Sequence, residues 1–349
     1  MRSLIYYNGI PAAELAEAAR GNVERALALV PDLAAGRLAL ANFFMHVTKE
    51  YQRALEVSRE GLAADGGNAD LMVSAGMAEM SLGRWDGALA YFERARPIDP
   101  RSPRTLFRTG NALLWMRRYR EAKDVFDQNL AIAPTQVVPD QMKIMCFLGE
   151  GDLAGARAWL AQKARGDRAE GLLVSMGLYW DLMWVFDDAQ RRAFLQLPVE
   201  AFGGNPAGQA LAFAQTYALA GDAAQTRRYA GDAERAYSEQ LAGSPNDDQL
   251  RVLHGLALAY LGRRGEAIRE GERGVALLPI SRDAYSGPYI QHQLVRIYMI
   301  LGEREKALDR LEPLLKVPYY LSPSWLAIDP NFAPLKGHPR FEKLLQGKG

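Results

Sequence analysis

The sequence predicts an all-α fold, a right-handed superhelical solenoid of antiparallel helix pairs that ends in a C-terminal capping segment. Three observations support this prediction. Apolar residues recur at helical spacing throughout the chain. A set of landmark residues returns every 34 residues, and no segment alternates in the manner of a strand. The length of 349 residues is about twice that of a usual single domain, which suits an elongated array.

The clearest repeat covers residues 68–100. Its landmarks are Gly76, Gly83, Trp85, Ala88, Phe92, Ala95 and Pro100, and 34 residues later stand Gly110, Arg117, Tyr119, Ala122, Phe126, Asn129 and Pro134. Related marks return at Gly255, Gly262, Ala267 and Pro279, and then at Tyr298, Gly302 and Ala307. Small residues let two helices approach closely, aromatic residues fill the space between pairs, and prolines end the units. A helix pair cannot bury its apolar face alone, so neighbouring pairs are expected to stack.

The helices are expected in order along the chain, with a loop or bend at residues 196–208. The predicted helices are 12–29, 35–47, 51–64, 69–81, 85–96, 103–116, 119–132, 137–148, 153–165, 170–185, 187–196, 205–220, 222–243, 247–261, 264–278, 287–301 and 303–316.

These landmarks at this period resemble the tetratricopeptide (TPR) repeat. The spacing predicts an N-terminal block at 1–168, with a partial first unit and four regular units, and an irregular aromatic junction at 169–206. A second block with looser units is expected at 207–318, followed by a cap at 319–349. In the cap, Trp325, Phe332 and Phe341 are expected to cover the last apolar face.

The C-terminal half has a further resemblance. The run SWLAIDP at 324–330, then APL at 333–335 and HPRF at 338–341, resembles the end of certain bacterial signalling proteins in which a serine/threonine-kinase or other regulatory domain precedes a TPR array. The landmarks of a kinase are absent from this sequence, so the resemblance implies either the non-catalytic part of such a protein or a stand-alone relative. A sensory or regulatory TPR region of a receptor-type kinase is therefore an alternative function.

Composition and motifs give no sign of catalysis. The 42 basic and 41 acidic residues leave a net charge of +1, which gives no reason to expect nucleic acid as a partner. The single Cys146 and the four scattered histidines form no metal or nucleophile motif, and Cys146 is predicted to be a buried small hydrophobe. We expect no catalytic residue, no metal and no cofactor. An enzyme whose site is assembled from scattered repeat residues is a remote alternative.

The N-terminus carries neither a signal peptide nor a membrane span. The chain is expected to be soluble, without membrane insertion, and cytoplasmic by default. It would lie outside the cytoplasm if it were a fragment of a membrane receptor.

The first helix of each pair is expected to line a concave groove that binds a peptide or protein. The candidate groove residues are Phe43, His46, Met77, Met80, Arg104, Phe107, Arg108, Asn111, Trp115, Gln141 and Met145. Most are apolar, and methionine adapts to varied ligands. The alternative is that several of them pack between layers. The leading function is thus a non-catalytic protein-interaction scaffold.

Arg104 and Arg108 stand one helical turn apart and resemble the basic pair by which some TPR proteins clamp a C-terminal carboxylate. The lysine and asparagines of that clamp are replaced by Ala39, Phe43 and Ser74, which argues against a complete clamp. A local acid-binding spot and solvent-facing arginines with partners in the repeat both remain open.

The aromatic segment 178–186, LYWDLMWVF, either fills the junction between the two blocks or presents a binding patch. Tyr319 and Tyr320 are expected to anchor the cap.

Overall fold

A computed structural model describes residues 12–30 and 33–347 of the chain. The described residues form nineteen α-helices and no strand. The helices are α1 Ala12–Leu29, α2 Ala34–Phe43, α3 Tyr51–Ala64, α4 Ala69–Ser81, α5 Trp85–Ala95, α6 Pro103–Trp115, α7 Tyr119–Ile132, α8 Val138–Gly149, α9 Leu153–Lys163, α10 Arg168–Gly177, α11 Asp188–Phe194, α12 Pro206–Leu219, α13 Ala223–Gly243, α14 Asp248–Tyr260, α15 Arg264–Leu277, α16 Gly287–Ile300, α17 Arg304–Lys316, α18 Pro323–Ile328 and α19 Pro339–Leu345. A π-helical turn, Phe44–Thr48, follows α2, and 3-10 turns lie at Met183–Val185, Val199–Phe202 and Pro330–Leu335.

The predicted fold class is confirmed, because consecutive helices pack as antiparallel pairs joined by short turns. Four predicted helices, 12–29, 51–64, 69–81 and 119–132, match the structure at both ends. Most other predicted ends lie within about two residues of the observed ones. The exceptions are the end of the helix predicted at 35–47, where α2 stops at Phe43 and the π-helical turn Phe44–Thr48 follows, and the end of the helix expected at 170–185.

The helix predicted at 170–185 was wrong beyond residue 177. Helix α10 ends at Gly177, and Tyr179 and Asp181 then have φ angles of 71° and 56°, in the left-handed region. A continuous helix cannot contain such residues. The ring of Phe194 packs so closely on Gly177 that an added Cβ would lie 2.4 Å from it, which gives the chain a physical reason to place glycine there.

The chain divides into two compact units, Met1–Ala112 and Leu113–Gly349, and the boundary falls within α6. In the first unit α2 packs on α3, α3 on α4 and α4 on α5. In the second unit α7 packs on α8, α12 on α13, α13 on α14 and α14 on α15, and α16 packs on α17. The division into blocks at 168, 206 and 318 stays a prediction.

Residues one repeat length apart lie next to each other within each unit. Three side-chain hydrogen bonds join residues 34 positions apart: Asp70 to Arg104, Gln141 to Ser175, and Asp181 to Gln215. The first lies in the unit Met1–Ala112 and the other two lie in the unit Leu113–Gly349. Equivalent positions of successive repeats are therefore neighbours within each unit.

Candidate functional site

The candidate groove residues of the first unit lie on α2 with its π-helical turn, on α4 and on α6. His46 and Arg104 are exposed, and Met77, Phe107 and Arg108 are half-buried. Phe43, Met80 and Asn111 are buried. The accessible candidates of this unit are therefore the five residues His46, Met77, Arg104, Phe107 and Arg108, which we call the first-unit face.

The two arginines of the first-unit face have different surroundings. The guanidinium of Arg104 lies 2.7 Å from the carboxylate of Asp70, and both side chains are exposed. Such a surface ion pair contributes little to stability, so an incoming carboxylate can compete for Arg104. The guanidinium of Arg108 lies 5.6 Å from the ring centre of Phe107. This face presents one apolar ring beside two cations.

The π-helical turn at Phe44–Thr48 was not predicted from the sequence. It ends at Lys49, which has a φ angle of 55°, and it leaves His46 and Val47 exposed. π-helical turns occur often at functional sites because they turn side chains away from the regular helical face. No residue in FMHVT signals such a turn, so sequence patterns could not have found it.

The candidates of the second unit are all buried. The ring of Trp115 contacts Trp180, Tyr285, Tyr319 and Tyr320, at centroid distances of 6.1, 5.3, 6.2 and 5.7 Å. Gln141 is hydrogen-bonded to Ser175, and Met145 is fully buried beside it. In this conformation these three residues contact other residues of their own unit, so the accessible part of the predicted groove is the first-unit face.

A short segment at the start of the cap covers the inner face of the second unit, which we define as the surface around Trp115. Residues 317–325, which we call the closing segment, run from the end of α17 to helices α7 and α8. The Ser322 hydroxyl donates to the carbonyl of Gly149 at 2.6 Å, and Tyr320 and Trp325 pack together at 4.9 Å. Tyr319 and Tyr320 are almost fully buried, as expected for anchors of the cap.

The aromatic residues near 178–186 also turn inward. Trp184 contacts Trp325 at 6.4 Å, and Phe186 contacts Phe194 at 5.4 Å. Both are buried, so these two rings belong to the core of the second unit.

The centre of the second unit contains a buried ion pair. Arg296 of α16 donates to Asp181 at 2.5 Å, Tyr260 lies 3.3 Å from the same guanidinium, and Gln215 donates to the other oxygen of Asp181. A cavity of about 10 Å³ beside this pair is lined in part by Tyr237. That volume has room for about one water molecule and no larger ligand.

Burial changes the acid–base properties of two inner side chains. It lowers the pKa of His292 to about 3, and the nearby Arg296 lowers the pKa further in the same direction. It raises the pKa of the Cys146 thiol, which keeps this buried group protonated and inert, as expected of a small hydrophobe.

One group of side chains has the residue types of a nucleophilic triad. The Ser238 hydroxyl lies 3.3 Å from Nε2 of His254, and Nδ1 of His254 lies 3.6 Å from Glu270. Ser238 lies inside α13, where backbone amides are committed to the helix and form no oxyanion hole. Arg251 also binds both oxygens of Glu270. This group therefore lacks the means to stabilise an acyl-transfer intermediate.

Among the described residues, no cluster of three or more histidine, cysteine, aspartate or glutamate side chains could hold a metal ion. No helix in the described part of the chain combines the length and apolarity needed to cross a membrane.

No protein-family model and no curated protein sequence matches the chain. Solved structures with some likeness include YrrB, a TPR protein with an unusual peptide-binding site, at 14% identity and a TM-score of 0.36 over 74% of this chain and 92% of that one. PilW, a widely conserved type IV pilus biogenesis factor, has 19% identity and a TM-score of 0.38 over 71% and 94%. MamA has 16% identity and a TM-score of 0.38 over 44% and 91%. Likeness at this level carries no argument about what this chain binds, and the resemblance to kinase-type signalling proteins stays a prediction.

Proposed function

We propose that the protein is a non-catalytic protein-interaction scaffold whose first-unit face binds an extended or helical peptide of a partner protein. The observation that carries this proposal is the contrast between the two units. Five candidate side chains of the first unit are exposed or half-buried, whereas the three candidates of the second unit, Trp115, Gln141 and Met145, are buried. A partner can therefore contact the accessible side chains of the first-unit face.

The chemistry of this face favours a peptide with an apolar residue beside an acidic one. Phe107 and Met77 offer half-buried apolar surface. Arg104 offers a cation. Its guanidinium forms an ion pair with Asp70, and both side chains are exposed to solvent. Arginine binds carboxylates through paired hydrogen bonds, so an acidic side chain or a peptide C-terminus can replace Asp70.

The test is a selection of peptides from a displayed random library against the full chain, followed by affinity measurement. We expect selected peptides to carry an acidic residue close to an aromatic or aliphatic one. Phe107→Ala combined with Arg104→Ala should weaken their binding at least tenfold, since one buried contact and one charge pair are lost.

A matched control uses exposed residues on the second helices. Glu93→Ala in α5, away from the first helices, should leave the affinity unchanged. A photoreactive amino acid at position 107 should cross-link the bound peptide, and the same group at position 93 should not. Cross-linking from position 93 alone, or equal binding to the Phe107/Arg104 double variant, would contradict the proposal.

A further inference from the structure

The closing segment has the features of a peptide held in a binding site. It is irregular between α17 and α18, with Pro318 and Pro323 on either side of residues 319–322. Val317 at its start has extended backbone angles, φ −106° and ψ 158°. Flanking prolines restrict the unbound conformations of such a segment, which lowers the entropy lost when it binds.

Side chains of the α6–α7 turn and of α7 recognise its backbone. Arg117 donates from Nε to the carbonyl of Leu321 at 2.7 Å, and from Nη2 to the carbonyl of Val317 at 3.0 Å. The Tyr119 hydroxyl donates to the carbonyl of Tyr320 at 3.2 Å, and burial raises the pKa of Tyr119 to about 12, which keeps this donor protonated. Side-chain donors that bind main-chain carbonyls are a usual means of holding an extended peptide.

Two adjacent rings supply the apolar anchors. Tyr320 packs on Trp115 at 5.7 Å and on Trp180 at 5.8 Å, and Tyr319 packs on Trp115 at 6.2 Å. Both tyrosine hydroxyls lie 3.2 Å from Nδ1 of His292. Buried aromatic anchors surrounded by other contacts are typical of the energetic centre of a binding interface.

We propose that the closing segment is a built-in peptide ligand of the inner face of the unit Leu113–Gly349, and that the same segment of a second copy of this chain can occupy this face in its place. The residues that bind the closing segment lie about 200 positions before it in the sequence. Arg117 and Leu321, for example, are 204 positions apart. The inner face is complementary to this sequence, and a second copy presents that sequence again. The covalent link favours the segment of the same chain through its high effective concentration.

The experiment uses the full chain with a protease site inserted between Lys316 and Val317, cut only after folding. The probe is a synthetic peptide of residues 317–349 with a fluorophore at its N-terminus. We expect the cut protein to keep its far-UV circular dichroism and to retain its own C-terminal piece. Excess labelled peptide should then replace that piece over hours, as measured by size-exclusion chromatography with fluorescence detection.

Two matched pairs of variants separate recognition of the closing segment from other packing. Arg117→Ala in the receptor should speed exchange at least tenfold, whereas Arg118→Ala, which pairs with the exposed Glu121, should leave the rate unchanged. In the labelled peptide, Tyr320→Ala should reduce competition at least a hundredfold. Arg340→Ala should reduce it less than fivefold, because Arg340 makes only surface ion pairs with α17.

Loss of helical signal on cutting would overturn the proposal, because the segment would then be an integral core element. Failure of the labelled peptide to replace the original piece in a protein that stays folded would overturn it as well. Should Arg117→Ala fail to fold, the two peptide variants decide the matter, and equal competition by both would contradict the assignment.

Discussion

The imidazole of His292 is enclosed by Tyr319, Tyr320 and Phe332, whose ring stacks on it at 5.9 Å. Burial holds the pKa of this histidine at about 3, below its ordinary value near 6.5. The folded state therefore keeps the ring neutral at pH values where the unfolded chain takes up a proton.

Acid should weaken the fold through this residue. The folded pKa lies below the unfolded one, so the stabilisation is complete above about pH 6.5 and is lost as the pH falls toward 3. Between pH 7 and pH 5 the free energy of unfolding of the wild type should fall by about 2 kcal/mol more than that of His292→Gln. Urea denaturation at both pH values measures the difference. His46→Gln, at an exposed site, should behave as the wild type does; a similar loss in the wild type and in His292→Gln would contradict the assignment.

At the scale of helices, close approach within each pair depends on a few glycines. In the α4–α5 pair a Cβ on Gly76 would lie 2.4 Å from the ring of Phe92, so the helices meet where only a hydrogen fits. Between neighbouring pairs, a Cβ on Gly149 of α8 would likewise lie 2.4 Å from the ring of Tyr119 of α7. The landmark residues Gly76 and Phe92 are thus two halves of one contact.

Gly76→Ala should lower the free energy of unfolding by about 1–3 kcal/mol, because the fully buried ring of Phe92 has no room to move. The control is Gly87→Ala in α5, where the nearest atom to an added Cβ belongs to the Glu79 side chain at 3.5 Å. That change should be neutral or stabilising by up to about 1 kcal/mol, since alanine favours a helix over glycine. Denaturant unfolding of the three proteins checks both values, and equal stability of the two variants would rule out the packing argument.

The landmark residues were enough to predict most helices, because the signals that start and end them are local. The end of α10 was missed because residues that hold the chain just beyond it are remote in sequence. Asp181 accepts a hydrogen bond from Arg296, 115 positions away, and no sequence pattern near residue 181 predicts that bond. The same limit applies to the candidate site. Spacing correctly placed Trp115 on a first helix, but its ring packs against Tyr319 and Tyr320, about 200 residues further along the chain.

On the scale of a whole unit, the closing segment connects α7 and α8 with the last helices of Leu113–Gly349. Trp325 contacts Trp184 and Tyr320, and its indole nitrogen donates to Asp329 at 3.0 Å. Loss of the Trp325 contacts should therefore increase local unfolding in helices that are distant from Trp325 in sequence.

Trp325→Ala should increase amide hydrogen exchange in α7 and α8 as well as in α16 to α19, because both sets lose the same buried ring. Mass spectrometry of peptides from each helix measures the change. Tyr229→Ala is the control, since Tyr229 is half-buried and stacks on Tyr217 at 5.5 Å within the α12–α13 pair. An increase confined to α16 to α19 in the Trp325 variant would show that the two ends are not coupled.

The bond from Arg117 to Leu321 also limits how this array can change its number of repeats. In an open array a helix pair can be duplicated or deleted, because each pair contacts only its neighbours. An extra pair between α8 and α16 would move Leu321 away from Arg117 and Ser322 away from Gly149. The unit Leu113–Gly349 therefore has a fixed copy number of helix pairs, and we expect gain or loss of whole repeats to be tolerated only in Met1–Ala112.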